Sequence, residues 1–150
     1  MKGGKEMAET TKGNIEIREL TEDDLDTILE LDRKIVGKER SFTYKNPIAN
    51  YLGGDFGLSF VAVDNKKIVG FVMGQLEGPG KGWIQAIAID PDYRRRDIGA
   101  ELVKALLARY KSRGIEAVHI AASWRDTGML SFLSSLGFTR GDMVELEKPL

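Results

Sequence analysis

Residues 87–102 read Ile-Ala-Ile-Asp-Pro-Asp-Tyr-Arg-Arg-Arg-Asp-Ile-Gly-Ala-Glu-Leu, and they are the most informative part of the sequence. It joins the end of an apolar strand to a short basic loop and the first turn of a helix. A helix N-terminus directs free backbone N–H groups and the positive end of the helix dipole outward. Together with Arg94, Arg95 and Arg96, this arrangement favours a bound pyrophosphate. The stretch therefore predicts a phosphate-binding loop.

The segments on both sides of the loop predict a β-α-β unit. Upstream, residues 83–89 are apolar on both faces, which is typical of a centrally buried strand. Downstream, four large apolar side chains recur at helical spacing: Ile98, Leu102, Leu106 and Tyr110. Gly114 ends this helix. Residues 116–122 then form a strand, which a right-handed crossover places parallel to the first.

The rest of the chain predicts a mixed sheet with helices on both sides. Its elements, in chain order, are a strand at Ile15 and Ile17, a helix capped by Thr21 and ending at Gly37, a hairpin of residues 58–63 and 68–76, a short helix ending at Gly137, and a last strand over residues 138–148. Pro47 could open a further short helix. Residues 1–13 are polar and are expected to form a disordered leader.

Composition excludes several classes of protein. The chain has 150 residues, no Cys and one His, so disulfides and thiolate zinc sites are excluded and a His-rich metal site is not expected. The net charge is −1, which argues against a dedicated nucleic-acid binder. No apolar run is long enough for a membrane span, and the polar residues 1–13 lack the apolar segment of a secretory signal. We therefore expect a cytoplasmic protein without metal.

The basic loop resembles the acyl-coenzyme A-binding motif of the GNAT acetyltransferase family. That motif is Gln or Arg, two residues, Gly, one residue, then Gly or Ala. Here Arg94, Asp97 and Gly99 take those three positions. The order of the predicted elements fits the family as well, so the resemblance covers residues 14–148. It implies a single GNAT domain over residues 14–150.

A second family motif follows downstream. Its usual form is Asn, Ala three residues on, an aromatic-Tyr pair, then Leu-Gly-Phe. Here Asp126, Met129, Phe132 and Leu133 stand before the Leu-Gly-Phe of residues 136–138. The implied GNAT fold is mixed α+β, with a central, mostly antiparallel sheet, a splayed pair of parallel strands and helices on both faces.

The resemblance implies acetyl-CoA as cosubstrate and an amine as acceptor. The splay would leave backbone groups of Ile87, Ala88 and Ile89 free to pair with the pantetheine arm. The Ile87 N–H would hold the thioester oxygen as it becomes an oxyanion. The residues implied to bind the coenzyme are Ile87, Ala88, Ile89, Arg94, Arg95, Arg96, Asp97, Ile98, Gly99, Ala100, Asp126 and Phe132.

Several positions depart from the family pattern. Asp97 replaces a Gly, and its carboxylate should oppose a pyrophosphate unless it turns away as a helix N-cap. Asp126 replaces an Asn and is expected to cap the next helix. Leu133 replaces the Tyr that protonates the departing thiolate in many members, and Leu cannot donate a proton. The central strand offers no acid, so Glu77 is the candidate base, with a solvated strand end as the alternative.

Other side chains have a structural interpretation and a functional one. His119 is expected to be a packed or surface strand residue, and Tyr93 to be structural. Trp83 and Trp124 either pack at the core or an edge or line the acceptor site. The candidates for acceptor selection are Asp32, Glu39, Arg40 and Tyr44.

Three functions stay open at this point. The first is N-acetyl transfer to a primary amine on a small molecule, a peptide N-terminus or a lysine. The second is a coenzyme-binding regulatory module with weak or no turnover. The third is a scaffold that binds no coenzyme. The apolar last strand, around residues 143–146, further predicts edge pairing in a homodimer.

Overall fold

The computed structural model of the chain describes residues 10–12, 14–43, 56–94 and 96–150. The chain forms two compact units, Met1–Ile120 and Ala121–Leu150. The strands of the first unit are β1 (Thr10–Lys12), β2 (Ile15–Glu19), β3 (Ser59–Asp64), β4 (Lys67–Leu76), β5 (Lys81–Ile89) and β6 (Ala117–His119). Its helices are α1 (Leu25–Thr43) and α2 (Ile98–Ser112), and the second unit contains α3 (Thr127–Ser135).

The six strands form one sheet in the order β1-β2-β3-β4-β5-β6. Each of the first four strands pairs antiparallel with the next, as the tight turns between β3 and β4 and between β4 and β5 require. Among the described strands, only β5 and β6 are parallel, because α2 crosses between them. The predicted mixed, mostly antiparallel sheet is confirmed. β1 was not expected, since its residues fall in the predicted leader, where they pair with β2.

Helices cover both faces of the sheet, as expected. On one face, Leu25 and Ile28 of α1 join a buried cluster with Phe71 and Met73 of β4. On the opposite face, a Cβ built on Gly70 would lie 3.4 Å from the Leu102 side chain of α2. Because successive strand residues alternate between faces, β4 supplies apolar contacts to both helices. This double covering holds β4 and β5 at the centre of the unit.

The starts of the two long helices follow from their capping residues. The Thr21 backbone N–H donates to the Asp24 carboxylate at 2.8 Å, the reciprocal half of a capping box. A short 3-10 turn, Glu22–Asp24, then leads into α1. This helix continues past Gly37 to Thr43 because a Gly inside a helix costs only about 1 kcal/mol. Gly114 has φ +77° just beyond α2, which confirms it as a helix stop.

Three expectations for strands are wrong in detail. β6 is shorter than residues 116–122. On β5, Ile84, Ala86 and Ala88 are buried whereas Gln85 is exposed, so the strand is not buried on both faces. The last strand over 138–148 is absent: those residues have no ladder partner among the described residues, and a strand exists only in a ladder. The helix considered at Pro47 lies outside the described residues.

Candidate functional site

The first component of the site is a free edge along β5. β6 pairs with β5 only at Lys81, Gly82 and Trp83. Beyond Trp83, the described residues supply no strand on that side, whereas β4 pairs with β5 on the other side as far as Ile89. The two parallel strands therefore separate, which confirms the expected splay.

The direction of the β5 backbone determines which groups reach this edge. The Asp90 N–H donates to the Val69 carbonyl of β4 at 2.8 Å. Successive residues of an antiparallel strand direct their backbone groups to alternate edges. Ala88 therefore faces β4, whereas Ile87 and Ile89 present their N–H and C=O groups to the free edge. Free backbone groups were expected on Ile87, Ala88 and Ile89. This alternation leaves those of Ile87 and Ile89 at the free edge.

The second component is the N-terminus of α2. The Glu101 N–H bonds back to the Asp97 carbonyl at 3.0 Å and begins the helical pattern. The N–H groups of Ile98, Gly99 and Ala100 therefore have no partner within the helix. Arg94 and Arg96 precede this turn in the chain and are exposed, and Arg95 lies outside the described residues. Free N–H groups at a helix N-terminus that follows two exposed Arg residues suit an anionic ligand.

Asp97 occupies the N-cap position of α2 in an unusual conformation. Its φ is +61° and its ψ is +17°, in the left-handed region, and its side chain makes no capping hydrogen bond. The expected N-cap position of Asp97 is confirmed, whereas the side-chain hydrogen bond that an N-cap Asp usually makes is not formed. A left-handed residue is least strained when it is Gly, and Asp is among the side chains that tolerate it.

Two side-chain contacts hold the loop between β5 and α2. The Tyr93 hydroxyl donates to the Asp64 carboxylate at 2.8 Å, and this bond raises the pKa of Tyr93. The Arg96 guanidinium lies 4.8 Å from the centre of the Tyr93 ring. Tyr93 is therefore structural, as expected, and it ties the basic loop to β3.

Asp90 anchors the start of the same loop. It is buried, with 1% of its surface exposed. Its carboxylate accepts the Asp92 N–H at 2.9 Å and lies 3.3 Å from the Lys34 ammonium of α1. The Asp92 bond is the largest cause that lowers the pKa of Asp90, and Lys34 lowers it further, so the group stays ionised.

Glu77, the candidate base, lies at the far end of β5 from the basic loop. The Trp83 indole N–H donates to its carboxylate, and the Lys81 ammonium is 3.4 Å away. Both contacts lower the pKa of Glu77, the indole bond most. The His119 ring lies 5.2 Å from the Trp83 ring, centre to centre, so His119 is a packed strand residue. Trp83 packs at the strand end in the same cluster.

A comparison with known protein families shows the family to which the chain belongs. Residues 18–138 match the family model described as "Acetyltransferase (GNAT) family".

The chain belongs to the GNAT acetyltransferase family.

Three known proteins illustrate the similarity. An uncharacterized N-acetyltransferase of Methanocaldococcus jannaschii is 31% identical over 141 residues, which cover 86% of this chain and 62% of that relative. The chain thus spans less than two thirds of this relative's length. The structure of AAC(6')-Iy in complex with a bisubstrate analogue of coenzyme A has a TM-score of 0.73 at 16% identity, covering 92% of this chain and 99% of that chain. The ribosomal-protein-S18-alanine N-acetyltransferase from Escherichia coli has a TM-score of 0.70 at 22% identity, covering 85% and 79%.

The second GNAT motif lies in the second unit. There the Asp126 carboxylate accepts the Met129 N–H at 2.9 Å and caps α3, as expected. Phe132 and Leu133 lie on α3. Trp124 precedes this cap and is exposed.

The expected acceptor residues are only partly described. Asp32 is buried on α1. The side chains of Glu39 and Arg40, and all of Tyr44, lie outside the described residues. Among the described residues, no helix is long and apolar enough to cross a membrane, and no three His, Cys, Asp or Glu side chains could hold a metal ion together.

Sequence reasoning missed the role of Tyr110, which it placed only among the apolar positions of α2. The Tyr110 hydroxyl reaches between β4 and β5 and bonds to Gln75 and Trp83. A signal was present in the sequence, since Gly74 and Gly82 interrupt the two strands beside it. A Gly inside a strand often marks the close approach of another group.

Proposed function

We propose that this chain is an acetyl-CoA-dependent N-acetyltransferase that transfers an acetyl group to a primary amine by direct attack in a ternary complex. One observation carries the proposal: a free strand edge at Ile87 and Ile89 leads to the N-terminus of α2. A ligand with amide groups along one arm and a pyrophosphate at its end fits both parts. Coenzyme A has this chemistry.

The chain's own groups divide the work between binding and catalysis. The free N–H and C=O groups of Ile87 and Ile89 pair with the amides of the pantetheine arm, as an added strand would. The N–H groups of Ile98, Gly99 and Ala100 receive the pyrophosphate, with Arg94, Arg95 and Arg96 supplying charge. When bound, acetyl-CoA supplies an acetyl group activated as a thioester.

The Ile87 N–H is the proposed oxyanion contact. A backbone N–H held by a strand is already oriented, so it stabilises developing negative charge without reorganising. Holding the acceptor amine beside the thioester supplies much of the remaining acceleration. Glu77 is the proposed base, although its lowered pKa makes it a weaker proton acceptor than an ordinary Glu. The general acid stays unassigned, because Leu133 takes the usual Tyr position.

The acceptor class is a small-molecule amine, a peptide N-terminus or a lysine. Among the structural neighbours, one is named for an aminoglycoside and another for the alanine of a ribosomal protein. Those names support an amine acceptor and leave its class open.

The first experiment is calorimetric titration of the full chain with acetyl-CoA and with free coenzyme A. We expect micromolar binding of both, and a clear loss of affinity in Arg94→Ala. The control is Arg140→Ala, which removes an exposed Arg of the second unit. A panel of amines with detection of the released thiol then tests turnover. No binding at millimolar ligand would refute the proposal and leave the scaffold function.

The alternative function is a coenzyme-binding regulatory module with weak or no turnover. Leu133 and the left-handed Asp97 favour it, because each replaces a residue that the family uses for chemistry or phosphate binding. Tight coenzyme binding without thiol release from any amine would support this alternative. Thiol release with one amine would exclude it.

We also propose that residues 14–150 form a single domain and that the protein is a cytoplasmic homodimer. We propose no metal, nucleic-acid or membrane partner. Met143, Val144 and Leu146 are exposed apolar residues, which pairing between copies would cover. Sedimentation at several concentrations tests the dimer. A monomer at every concentration would refute it.

A further inference from the structure

Tyr110 places a hydroxyl between the two central strands. It lies on α2 with 1% of its surface exposed. Its hydroxyl accepts the Gln75 N–H of β4 at 2.9 Å and donates to the Trp83 carbonyl of β5 at 2.6 Å. Burial raises its pKa, so the hydroxyl keeps its proton. The side chain thus bridges β4 and β5 through their backbones.

Two glycines provide the space for this bridge. A Cβ on Gly74 would lie 2.6 Å from the Tyr110 oxygen, and a Cβ on Gly82 would lie 2.7 Å from the Tyr110 ring. Both distances are far below ordinary van der Waals contact. Any other residue at either position would displace the ring. Each of the two strands therefore carries a Gly, which is a weak strand former, at the point where the Tyr110 side chain lies.

The bridge lies beside a β-bulge. Met73 pairs with Ala86, whereas the next residue, Gly74, pairs with Ile84, so Gln85 is an extra residue on β5. A bulge bends its strand and increases the local twist. The pairing with β6 ends at Trp83, two residues before Gln85. The separation of β5 from β6 therefore begins next to the bulge and the Tyr110 bridge.

The bulge also decides which backbone groups face the free edge. Strand residues alternate with a period of two, so one extra residue reverses the alternation beyond it. Without Gln85 as an extra residue, Ile87 and Ile89 would turn towards β4 and Ala88 would face the free edge. The bulge is thus what presents the Ile87 N–H to a ligand.

We propose that Tyr110 is a positioning residue: its hydroxyl fixes the bulge at Gln85, and the bulge aims the backbone of Ile87 and Ile89 at the coenzyme. The kinetic consequence rests on the proposed acetyl transfer, whereas the structural consequence does not. Ser59 supports the other side of the bulge, since its buried hydroxyl accepts the Gly74 N–H at 3.3 Å.

The test compares Tyr110→Phe with Val61→Ala in the full chain. The first variant removes only the hydroxyl. The second opens a small cavity at a fully buried position of β3, in the cluster under α1. The two readouts are kcat per folded molecule and the backbone amide NMR signals of residues 84–89. Free coenzyme A affinity is measured in parallel.

We expect Tyr110→Phe to lower kcat by about tenfold or more, since a misplacement of about 1 Å can cost ~10²-fold. The coenzyme A affinity should change less than kcat, because the N-terminus of α2 is untouched. The amide signals of residues 84–89 should move in Tyr110→Phe and stay in Val61→Ala at a comparable loss of stability. If Tyr110→Phe does not fold, Ser59→Ala perturbs the same bulge and should move the same signals.

Two results would overturn the proposal. The first is a kcat per folded molecule that matches that of Val61→Ala, and the second is a set of amide signals that does not move in the Tyr110 or Ser59 variants. If the unmodified chain acetylates no amine, the proposed function fails. The amide signals then still decide the role of Tyr110.

Discussion

Replacing Asp97 by Gly should strengthen coenzyme binding and stabilise the fold slightly. The left-handed conformation of Asp97, at φ +61°, costs a non-Gly residue about 1 kcal/mol or more, offset by about 0.5–1 kcal/mol of extra chain entropy lost by Gly. The net gain in folding free energy is therefore a few tenths of a kcal/mol, on the order of the difference between those two figures.

The larger effect is electrostatic. Two unit charges about 7 Å apart at an effective dielectric constant of about 40 repel by about 1.2 kcal/mol. Summed over the two charges of a pyrophosphate and reduced by salt screening, this repulsion amounts to about 1–2 kcal/mol. Removing the carboxylate should make the binding free energy more favourable by that amount. That free energy corresponds to an acetyl-CoA Kd lower by about 5- to 30-fold.

The control is Asp97→Asn, which removes the charge and keeps a side chain that tolerates the left-handed region. Calorimetric titration of both variants separates the two effects: charge removal acts in both, and conformational relief acts only in the Gly variant. Raising the salt concentration should shrink the gain in affinity of both. Unchanged or weaker binding in the two variants would show that the carboxylate does not oppose the pyrophosphate.

Three further results are expected. Glu77→Gln should lower kcat by about 10²-fold if Glu77 is the base, and its lowered pKa places the acid loss of activity below the usual range of Glu; a loss within a few-fold would rule the role out. The lowered pKa of Asp90 contributes stability that is present above its ordinary pKa and is lost as the pH falls towards its folded-state pKa. Urea unfolding from pH 7 to pH 3 should therefore show a smaller acid loss in Asp90→Asn, and an identical pH profile would contradict this. Asp126→Ala should cost about 1 kcal/mol by loss of the α3 cap, whereas Asp126→Asn should cost little; equal thermal midpoints for both variants would exclude the cap.

The local signals in the sequence predicted the parts of the site that depend on local physics. The basic loop, the start of α2 and the caps at Thr21 and Asp126 follow from residue types and spacing over one or two turns. The parallel β5–β6 pair followed from the crossover helix between them. These elements need no information from distant parts of the chain.

The parts that sequence reasoning missed depend on contacts between distant segments. The choice between Ile87 and Ala88 at the free edge is set by one extra residue on β5, and Tyr110, 25 positions after Gln85, stabilises that residue's bulge. Periodicity within β5 cannot show this, because a bulge changes the phase and not the composition. The prediction of a last strand over residues 138–148 was wrong for a related reason. An alternating pattern does not by itself form a strand, because the ladder partner must come from another segment of the chain.

Several departures from local rules lie at the candidate site, whereas the left-handed Asn65 and Lys66 lie in the turn between β3 and β4. A non-Gly residue takes a left-handed conformation at Asp97, two glycines interrupt central strands, and one residue of β5 has no ladder partner. Such exceptions cost stability, and they persist only where surrounding contacts hold them. The Tyr110 bridge and the anchored loop around Asp90 are those contacts. Substitutions at these anchors should therefore change coenzyme chemistry before they unfold the chain, whereas substitutions in the cluster under α1 should do the reverse.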